Sequence, residues 1–406
     1  MSKPRVFEKP VGMKDYLPDV VMRKRLIEGR LQRCMESWGY REIVTPTLEF
    51  FETVGGASAT LDDKMFKLID RQGQTLVLRP DMTAPIARVV ASYYREQVTP
   101  VRLLYHASVY RAQEEEAGRN AEFYQTGVEL INNETPEADA EVLALAVDCL
   151  QQVEVENFRL AISHVGFLDG MLRERVPGEA GRRALKQALL QRDYVSFRSQ
   201  AEQMALAGED EEALLRLLRM RGGEEKLTEA ERLVKGEESA RALQNLRDIW
   251  RLLRVYHVEQ SVMLDLTLCS TMDYYTGMLF EGYAVNFGFP ICSGGRYDKL
   301  LESFHCSAPA TGFALKIDRV MEASGCQPER GMERICLLYR REAMEAAIAQ
   351  ARKMRRQQPG RSVELIPLSC SPEGDQVGIG TIHRMLKEQG ATQVLLVEEG
   401  GVACIS

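Results

Sequence analysis

Glu122-Phe123-Tyr124-Gln125-Thr126-Gly127-Val128-Glu129, residues 122–129, is the stretch on which the fold turns. Read as a strand, it places Phe123, Gln125, Gly127 and Glu129 on one face, because side chains alternate. The solvated face of an edge strand would show such a pattern. So would the floor of an amino-acid pocket, with one aromatic, one amide and one carboxylate spaced by a glycine. Residues 101–112 read as its partner strand and end in Val109-Tyr110-Arg111. A loop carrying Glu114-Glu115-Glu116-Ala117-Gly118-Arg119 joins the two.

Two more polar clusters interrupt otherwise apolar sequence. Leu78-Arg79-Pro80-Asp81-Met82-Thr83-Ala84 sits at a strand-to-helix junction. There Asp81 or Thr83 can cap the helix, or Asp81 can offer its carboxylate to a ligand ammonium. Ser270-Thr271-Met272-Asp273-Tyr274-Tyr275-Thr276-Gly277 is followed by Gly294-Gly295-Arg296-Tyr297-Asp298. Paired tyrosines supply hydroxyls to a pocket wall, though adjacent tyrosines also serve core packing. The Gly-Gly-Arg run has too little context to be a phosphate loop.

Around these clusters the chain alternates. A helix is expected over 20–38 with Gly39 as its stop, a strand over 41–46, and two strands within 61–88 about the turn Asp70-Arg71-Gln72-Gly73. Helices follow at 83–95 and 137–153, the latter with alanines and leucines on one face. Residues 166–255 turn to Leu, Ala, Arg and Glu, which predicts a helical insertion. Strands return at 261–268 and 278–285, and a helix is expected over 313–323. Residues 1–325 thus form one core, with 326–334 as a linker. Beyond it, strand (335–339), helix (341–356), strand (362–367), helix (377–389) and strand (393–397) predict a small α/β domain over 335–406.

With 52 basic against 59 acidic residues the formal charge is −7, which disfavours a long nucleic-acid grip without excluding a local basic patch. The 9 cysteines show no CxxC pair and the 5 histidines are dispersed. No metal site and no cofactor are expected, and a reducing, cytoplasmic setting suits the odd cysteine count. No apolar run of about 18 residues offers a membrane span or signal core.

The motifs together resemble histidyl-tRNA synthetase, a class II aminoacyl-tRNA synthetase, over roughly residues 8–325. Gly12-Met13-Lys14-Asp15-Tyr16-Leu17-Pro18 with Gly39-Tyr40-Arg41-Glu42-Ile43-Val44-Thr45-Pro46 resembles the opening segment and motif 1, which in that family build much of a dimer interface. Residues 109–129 resemble motif 2, and Thr311-Gly312-Phe313-Ala314 through Asp318-Arg319 resembles motif 3. The resemblance implies an α+β fold, an antiparallel sheet flanked by helices. It also implies a histidine site. Asp81 and Thr83 would hold the ammonium with Gln125, and Arg111 the carboxylate. Glu129 and Tyr275, with Tyr274 beside them, would take the two imidazole nitrogens. Arg119, Phe123 and Arg319 match ATP-contacting positions and mark a candidate vestigial nucleotide site.

Three departures argue against catalysis. The family's arginine before the paired tyrosines, which serves amino-acid activation, is Ser270 here. Losing a positioned cation of that kind costs on the order of 10²–10³ in rate. The acid of the motif 2 Phe-Arg-x-Glu has become Gln113, and the three glutamates that follow would repel ATP and a tRNA acceptor end. The tail over 335–406, with nine basic and eight acidic residues, is shorter than the family's anticodon-binding domain and reads as a degenerate relative of it. No catalytic residue is therefore assigned.

A paralogue that keeps the histidine site and loses activation resembles the regulatory-subunit family of ATP phosphoribosyltransferase. That resemblance implies a short-form catalytic subunit as partner and histidine as feedback ligand. It also implies a homodimer inside a hetero-oligomer, with neither tRNA nor membrane as partner. A divergent histidyl-tRNA synthetase is the alternative from the enzyme class, and a free-standing histidine sensor is a third reading.

Overall fold

The computed structural model describes residues 8–58, 60, 62–112, 120–270, 274–328, 333–357, 360–368, 378–398 and 401–404. It divides into two compact units, Met1–Cys326 and Gln327–Ser406.

The first unit opens with helix α1 (Pro18–Ser37), strands β1 (Arg41–Glu42) and β2 (Leu48–Phe50), the helical turn α2 (Phe51–Val54), strands β3 (Lys67–Ile69) and β4 (Thr75–Leu78), and helix α3 (Thr83–Tyr93). The long strands β5 (Val101–Tyr110) and β6 (Glu122–Ile131) come next, then α4 (Pro136–Gln152) and β7 (Arg159–His164). A mainly helical run follows: α5 (Val165–Arg175), α6 (Glu179–Leu190), α7 (Tyr194–Gln203), α8 (Gly208–Leu217), β8 (Arg221–Gly222), α9 (Glu225–Glu231) and α10 (Glu237–Val255). Strands β9 (Val262–Asp265), β10 (Met278–Tyr283), β11 (Cys292–Arg296) and β12 (Ala310–Lys316) lead to α11 (Ile317–Ala323).

Nine strands form the main sheet in the order β1-β5-β6-β12-β11-β10-β7-β9-β8. Its pairings are antiparallel except β1 with β5 and β7 with β9. A separate antiparallel sheet, β2-β4-β3, carries the turn in which Asp70 Oδ1 accepts from the amides of Gln72 and Gln74, each at 2.8 Å, with Gly73 at φ +81°.

The main sheet separates two cores. On one side α1, α4, α5 and α10 pack against Leu104, Val128, Leu130, Phe313 and Leu315; Trp250 lies in this core and Trp38 packs against it. The apolar stripe of α1, Ile27, Leu31, Cys34 and Met35, has the helical spacing that such a seat requires. On the other side a smaller core gathers Leu103, Tyr105, Val109, Ile86 and Tyr297, with Tyr274 and Tyr275 packed onto it. Residues 123, 125, 127 and 129 of β6 look toward this second side, because Val128 and Leu130 fill the first.

Three local expectations are corrected, and the Gly-Gly-Arg run, which the sequence left unassigned, is placed. Residues 313–316 belong to strand β12 rather than to a helix that begins at 313. Phe313 and Leu315 point into the larger core while Gly312 and Ala314 face the other side, and a strand buried on both faces hides its period-two signal. The Gly-Gly-Arg run is strand β11, whose glycines answer to packing. The expected strand over 41–46 is only two residues long. The run 166–255 contains β8, which pairs with β9 at the sheet edge, and its helices share the larger core.

The second unit comprises β13 (Glu333–Tyr339), α12 (Met344–Gln357), β14 (Arg361–Pro367), α13 (Ile379–Glu388), β15 (Gln393–Glu398) and β16 (Gly401–Cys404). The sheet order is β14-β13-β15-β16, with only β16 antiparallel; the sequence pattern missed this last strand. Ala347 and Ala351 of α12 cover one face and Leu386 of α13 the other.

Candidate functional site

Asp81, Thr83, Arg111, Gln125, Glu129, Tyr274 and Tyr275 all line a single cavity of about 40 Å³. They come from the start of α3, the ends of β5 and β6, and the segment before β10. Met82, Tyr105, Ser293, Gly294, Tyr297, Gly312, Phe313 and Ala314 complete the wall. The floor is a set of opposed rungs: Glu129 faces Gly312 and Gly127 faces Ala314.

Glycine is required here because side chains pass where a Cβ would stand. A Cβ on Gly312 would strike the Glu129 carboxylate, and one on Gly127 the Tyr105 hydroxyl and the Phe313 carbonyl. One on Gly295 would lie 2.9 Å from the Tyr275 ring. The absence of side chains on β11 and β12 thus makes room for the polar groups of β6 and the tyrosine segment.

Asp81 caps the helix, one of the two readings its sequence context allows, and it also stands at the cavity. Its Oδ1 accepts from the Ala84 amide at 3.1 Å, capping the first turn of α3, and its Oδ2 accepts from the Ser58 hydroxyl. Both oxygens lie on a carboxylate that borders the cavity. Glu129 is only 2% exposed. Burial pushes its pKa up to about 8; hydrogen bonds from Tyr297 and Thr83 oppose that rise, and the charge of Asp81 adds to it. At neutral pH it is therefore largely a protonated carboxyl. Tyr297 Oη donates to Glu129 Oε2, and Tyr274 packs edge-on against both Tyr275 and Tyr297 at 4.8 and 5.7 Å. Burial raises the pKa of every one of these phenols, so they stay protonated. Arg111 Nε donates to the Pro80 carbonyl at 2.8 Å, and its guanidinium lies 5.5 Å from the Phe123 ring centroid.

A larger cleft of about 480 Å³ adjoins the cavity and shares Arg111, Tyr275, Ser293 and Gly294 with it. Ser270 lines this cleft, not the small cavity. Arg192 and Arg221 also reach it, each tied to an acid of the cleft: Arg192 to Glu281 at 3.1 Å, Arg221 to Asp265 at 2.9 Å. Phe123 and Arg319 line neither space; Arg319 donates to the Pro290 carbonyl at 2.6 Å and faces the Phe289 ring. Arg119 and the loop 113–119 lie outside the described residues, as do 271–273.

The family model described as histidyl-tRNA synthetase matches residues 12–320. A relative from Halalkalibacterium halodurans, named ATP phosphoribosyltransferase regulatory subunit, is 45% identical over 356 residues, covering 87% of this chain and 90% of its own. The relative of the same name from Geobacillus sp. is 44% identical over 365 residues, covering 90% and 92%. The chain belongs to this family of regulatory subunits, a branch of the histidyl-tRNA synthetase fold. A crystal structure of an ATP phosphoribosyltransferase regulatory subunit/histidyl-tRNA synthetase from Bacillus halodurans superposes with TM-score 0.88 at 41% identity, covering 98% of this chain and 100% of that one. Histidyl-tRNA synthetase from Nostoc sp. shares the fold at TM-score 0.78 and 18% identity, covering 97% and 92%.

Within this regulatory-subunit framework, sequence reasoning passed over Ser58, Tyr105, Tyr297 and Lys316. Tyr105 had a legible signal, since it stands directly across from Gly127, a bulky ring opposite an empty position. Tyr297 was visible in the Gly294–Asp298 run but has no meaning without Glu129 beside it. Ser58 reaches Asp81 only through the tertiary fold.

Proposed function

We propose that this chain is the non-catalytic regulatory subunit of ATP phosphoribosyltransferase. It would act with a short-form catalytic subunit at the first step of histidine biosynthesis and bind histidine as the feedback signal. The observation that carries the reading is a contrast: seven polar and aromatic groups suited to histidine converge on one cavity, while serine occupies the position that in a synthetase bears the activating cation.

In this reading the imidazole ring lies on the Gly312–Ala314 floor between Glu129 and Tyr275. A neutral carboxyl and a phenol can each donate or accept, so together they complement the one donor and one acceptor of a neutral ring. Asp81, Thr83 and Gln125 receive the ammonium, and Arg111 the carboxylate. The amino acid spans the cavity and the mouth of the cleft. The transferase chemistry belongs to the partner chain. Histidine acts by favouring one arrangement of the complex through a coupling of about 1–3 kcal/mol. A homodimer within that complex is supported by apolar side chains left in solvent on the N-terminal part of the chain: Leu17 is 68%, Val44 83% and Ile69 78% exposed. Residues 335–406 are read as a degenerate relative of an anticodon-binding domain, and the complex is placed in the cytoplasm. Among the described residues no helix is long and apolar enough to cross a membrane.

Reconstitution tests the reading. Adding this chain to an inactive short-form transferase should restore activity, and histidine should then inhibit it. Failure to form a complex or to restore activity overturns the subunit role. Robust histidine-dependent exchange of pyrophosphate into ATP by this chain alone would make it a synthetase instead.

A further inference from the structure

The rungs of the pocket floor continue past the cavity wall. Outward from Glu129–Gly312 and Gly127–Ala314, the next directly paired positions are Gln125 and Lys316. Paired positions on antiparallel strands share a face, so Lys316 stands on the same side as the floor, one rung beyond it. Gly312 and Ala314 line the small cavity and Lys316 lines the cleft, which places this ammonium where the two spaces join.

Lys316 makes no ion pair or side-chain hydrogen bond among the described residues. That sets it apart from Arg192 and Arg221 of the cleft, which are matched by Glu281 and Asp265. Those two acids are also otherwise occupied: Glu281 accepts from the Tyr283 hydroxyl, and Asp265 from Thr267 at 2.6 Å. Burial lowers the pKa of Lys316 to about 8, with Arg319 and Arg111 adding to the fall; Glu281 and Cys292 oppose it. A half-buried ammonium that feels the charges of two guanidinium groups is costly unless an anion arrives to neutralise it. Within reach of the floor, the anion that a bound amino acid brings is its own carboxylate.

We propose that Lys316 is a ligand-binding residue that pairs, beside Arg111, with the α-carboxylate of the amino acid in the pocket. The inference rests on the reading of the cavity as a histidine site. It gives the ligand carboxylate two cations from the sheet, one at the end of β5 and one at the end of β12, with serine at position 270. Lysine suits this place as a point charge on a flexible stem, leaving the planar fork to Arg111. The pocket then discriminates by charge at one end and by ring shape at the other.

Two ligands separate the claims: histidine, and histidinol, which carries a hydroxymethyl group in place of the carboxylate. Calorimetry on the full chain should show wild type preferring histidine. Lys316→Met should weaken histidine binding by about 10- to 100-fold and leave histidinol within about 2-fold, as expected for loss of one charged hydrogen bond. Lys316→Arg should recover most of the affinity for histidine, and circular dichroism checks that each variant is folded. Unchanged histidine affinity in Lys316→Met, or an equal loss for both ligands, overturns the role of Lys316 while leaving the histidine pocket standing. A wild-type chain that binds neither ligand removes the pocket reading itself, and this inference with it.

Discussion

At the scale of single residues, Glu129 carries the largest energetic tension of the proposed pocket. Unfolded, it ionises near 4.5; folded, at about 8, chiefly because burial disfavours the charge. Its contribution to stability is therefore complete below about pH 4.5 and is lost as the pH rises through 8. Glu129→Gln keeps the shape and removes the ionisable proton. We expect it to raise unfolding free energy at pH 8 by roughly 1–3 kcal/mol, read from denaturant titration, while weakening histidine binding by at least about 10-fold. A variant that binds histidine as tightly as wild type would remove Glu129 from ring recognition. The same proton sets a pH profile. Free histidine has a neutral ring above about 6.5. Between there and pH 8 one proton, on Glu129, is present before and after binding, so affinity should be flat. Above 8 the empty pocket has lost this proton and that of Lys316 as well, and must regain both, so affinity should fall; calorimetry in buffers of differing ionisation enthalpy would register proton uptake there. The groups around Glu129 include the hydroxyls of Tyr297 and Thr83, the carboxylate of Asp81, and the phenols of Tyr105, Tyr274 and Tyr275, which burial keeps protonated. Most of this set was legible in the sequence because Asp81, Arg111 and Glu129 sit at strand ends or on one strand face. Tyr297 and Lys316 were not, since a tyrosine near a glycine pair and a lysine late in an apolar strand have many ordinary explanations.

At the scale of elements, strand β11 and the segment before β10 are fastened together by Arg296. Its guanidinium bonds Asp139 of α4, which is 0% exposed, at 3.0 Å, and Asp298 at 3.0 Å. Thr276, next to Tyr275, donates its amide to the Arg296 carbonyl at 2.8 Å and its hydroxyl to Asp298 at 3.2 Å. Arg296→Met leaves Asp139 buried without a counter-ion, so we expect a loss of about 3–5 kcal/mol in stability, with weaker histidine binding because Asp298, which accepts from Thr276 beside Tyr275, loses the guanidinium that holds it. A change below about 1 kcal/mol on chemical denaturation would show that Asp139 finds another partner. Gly312→Ala tests the floor directly. Its methyl group would meet the Glu129 carboxylate, so we expect histidine binding to vanish at a stability cost of about 1–3 kcal/mol. The sequence reveals β5, β6 and α4 well, since long strands and an amphipathic helix leave periodic traces. It hides β11 and β12 because glycines and doubly buried positions erase the alternation on which strand reading depends.

For the molecule as a whole, all seven proposed histidine contacts lie before residue 326, as does the cleft. Each compact unit also has its own apolar core. A chain ending at residue 328 should therefore keep histidine affinity within about 2-fold, as sites in separate cores contribute independently. A larger loss would tie the second unit to the pocket. The exposed apolar residues near the N-terminal strands predict a further outcome. Val44→Glu combined with Ile69→Glu should shift sedimentation from dimer to monomer and leave the thermal melt of the protomer nearly intact. The order of the core elements was readable from hydrophobic period; the sharing of one core by the run 166–255 was not, because a helical pattern says nothing about which sheet face it covers.

The main sheet also acts as an optical partition. Both tryptophans, Trp38 and Trp250, belong to the core on the helix side, whereas Tyr105, Tyr274, Tyr275 and Tyr297 crowd the other side around the proposed pocket. A ligand entering there perturbs phenol rings and leaves the indoles in their own surroundings. Ultraviolet difference absorbance of tyrosine should thus report occupancy, while emission excited selectively from tryptophan should stay silent unless the two halves of the sandwich move. The unmodified chain offers two colours of probe, one for the site and one for the scaffold behind it.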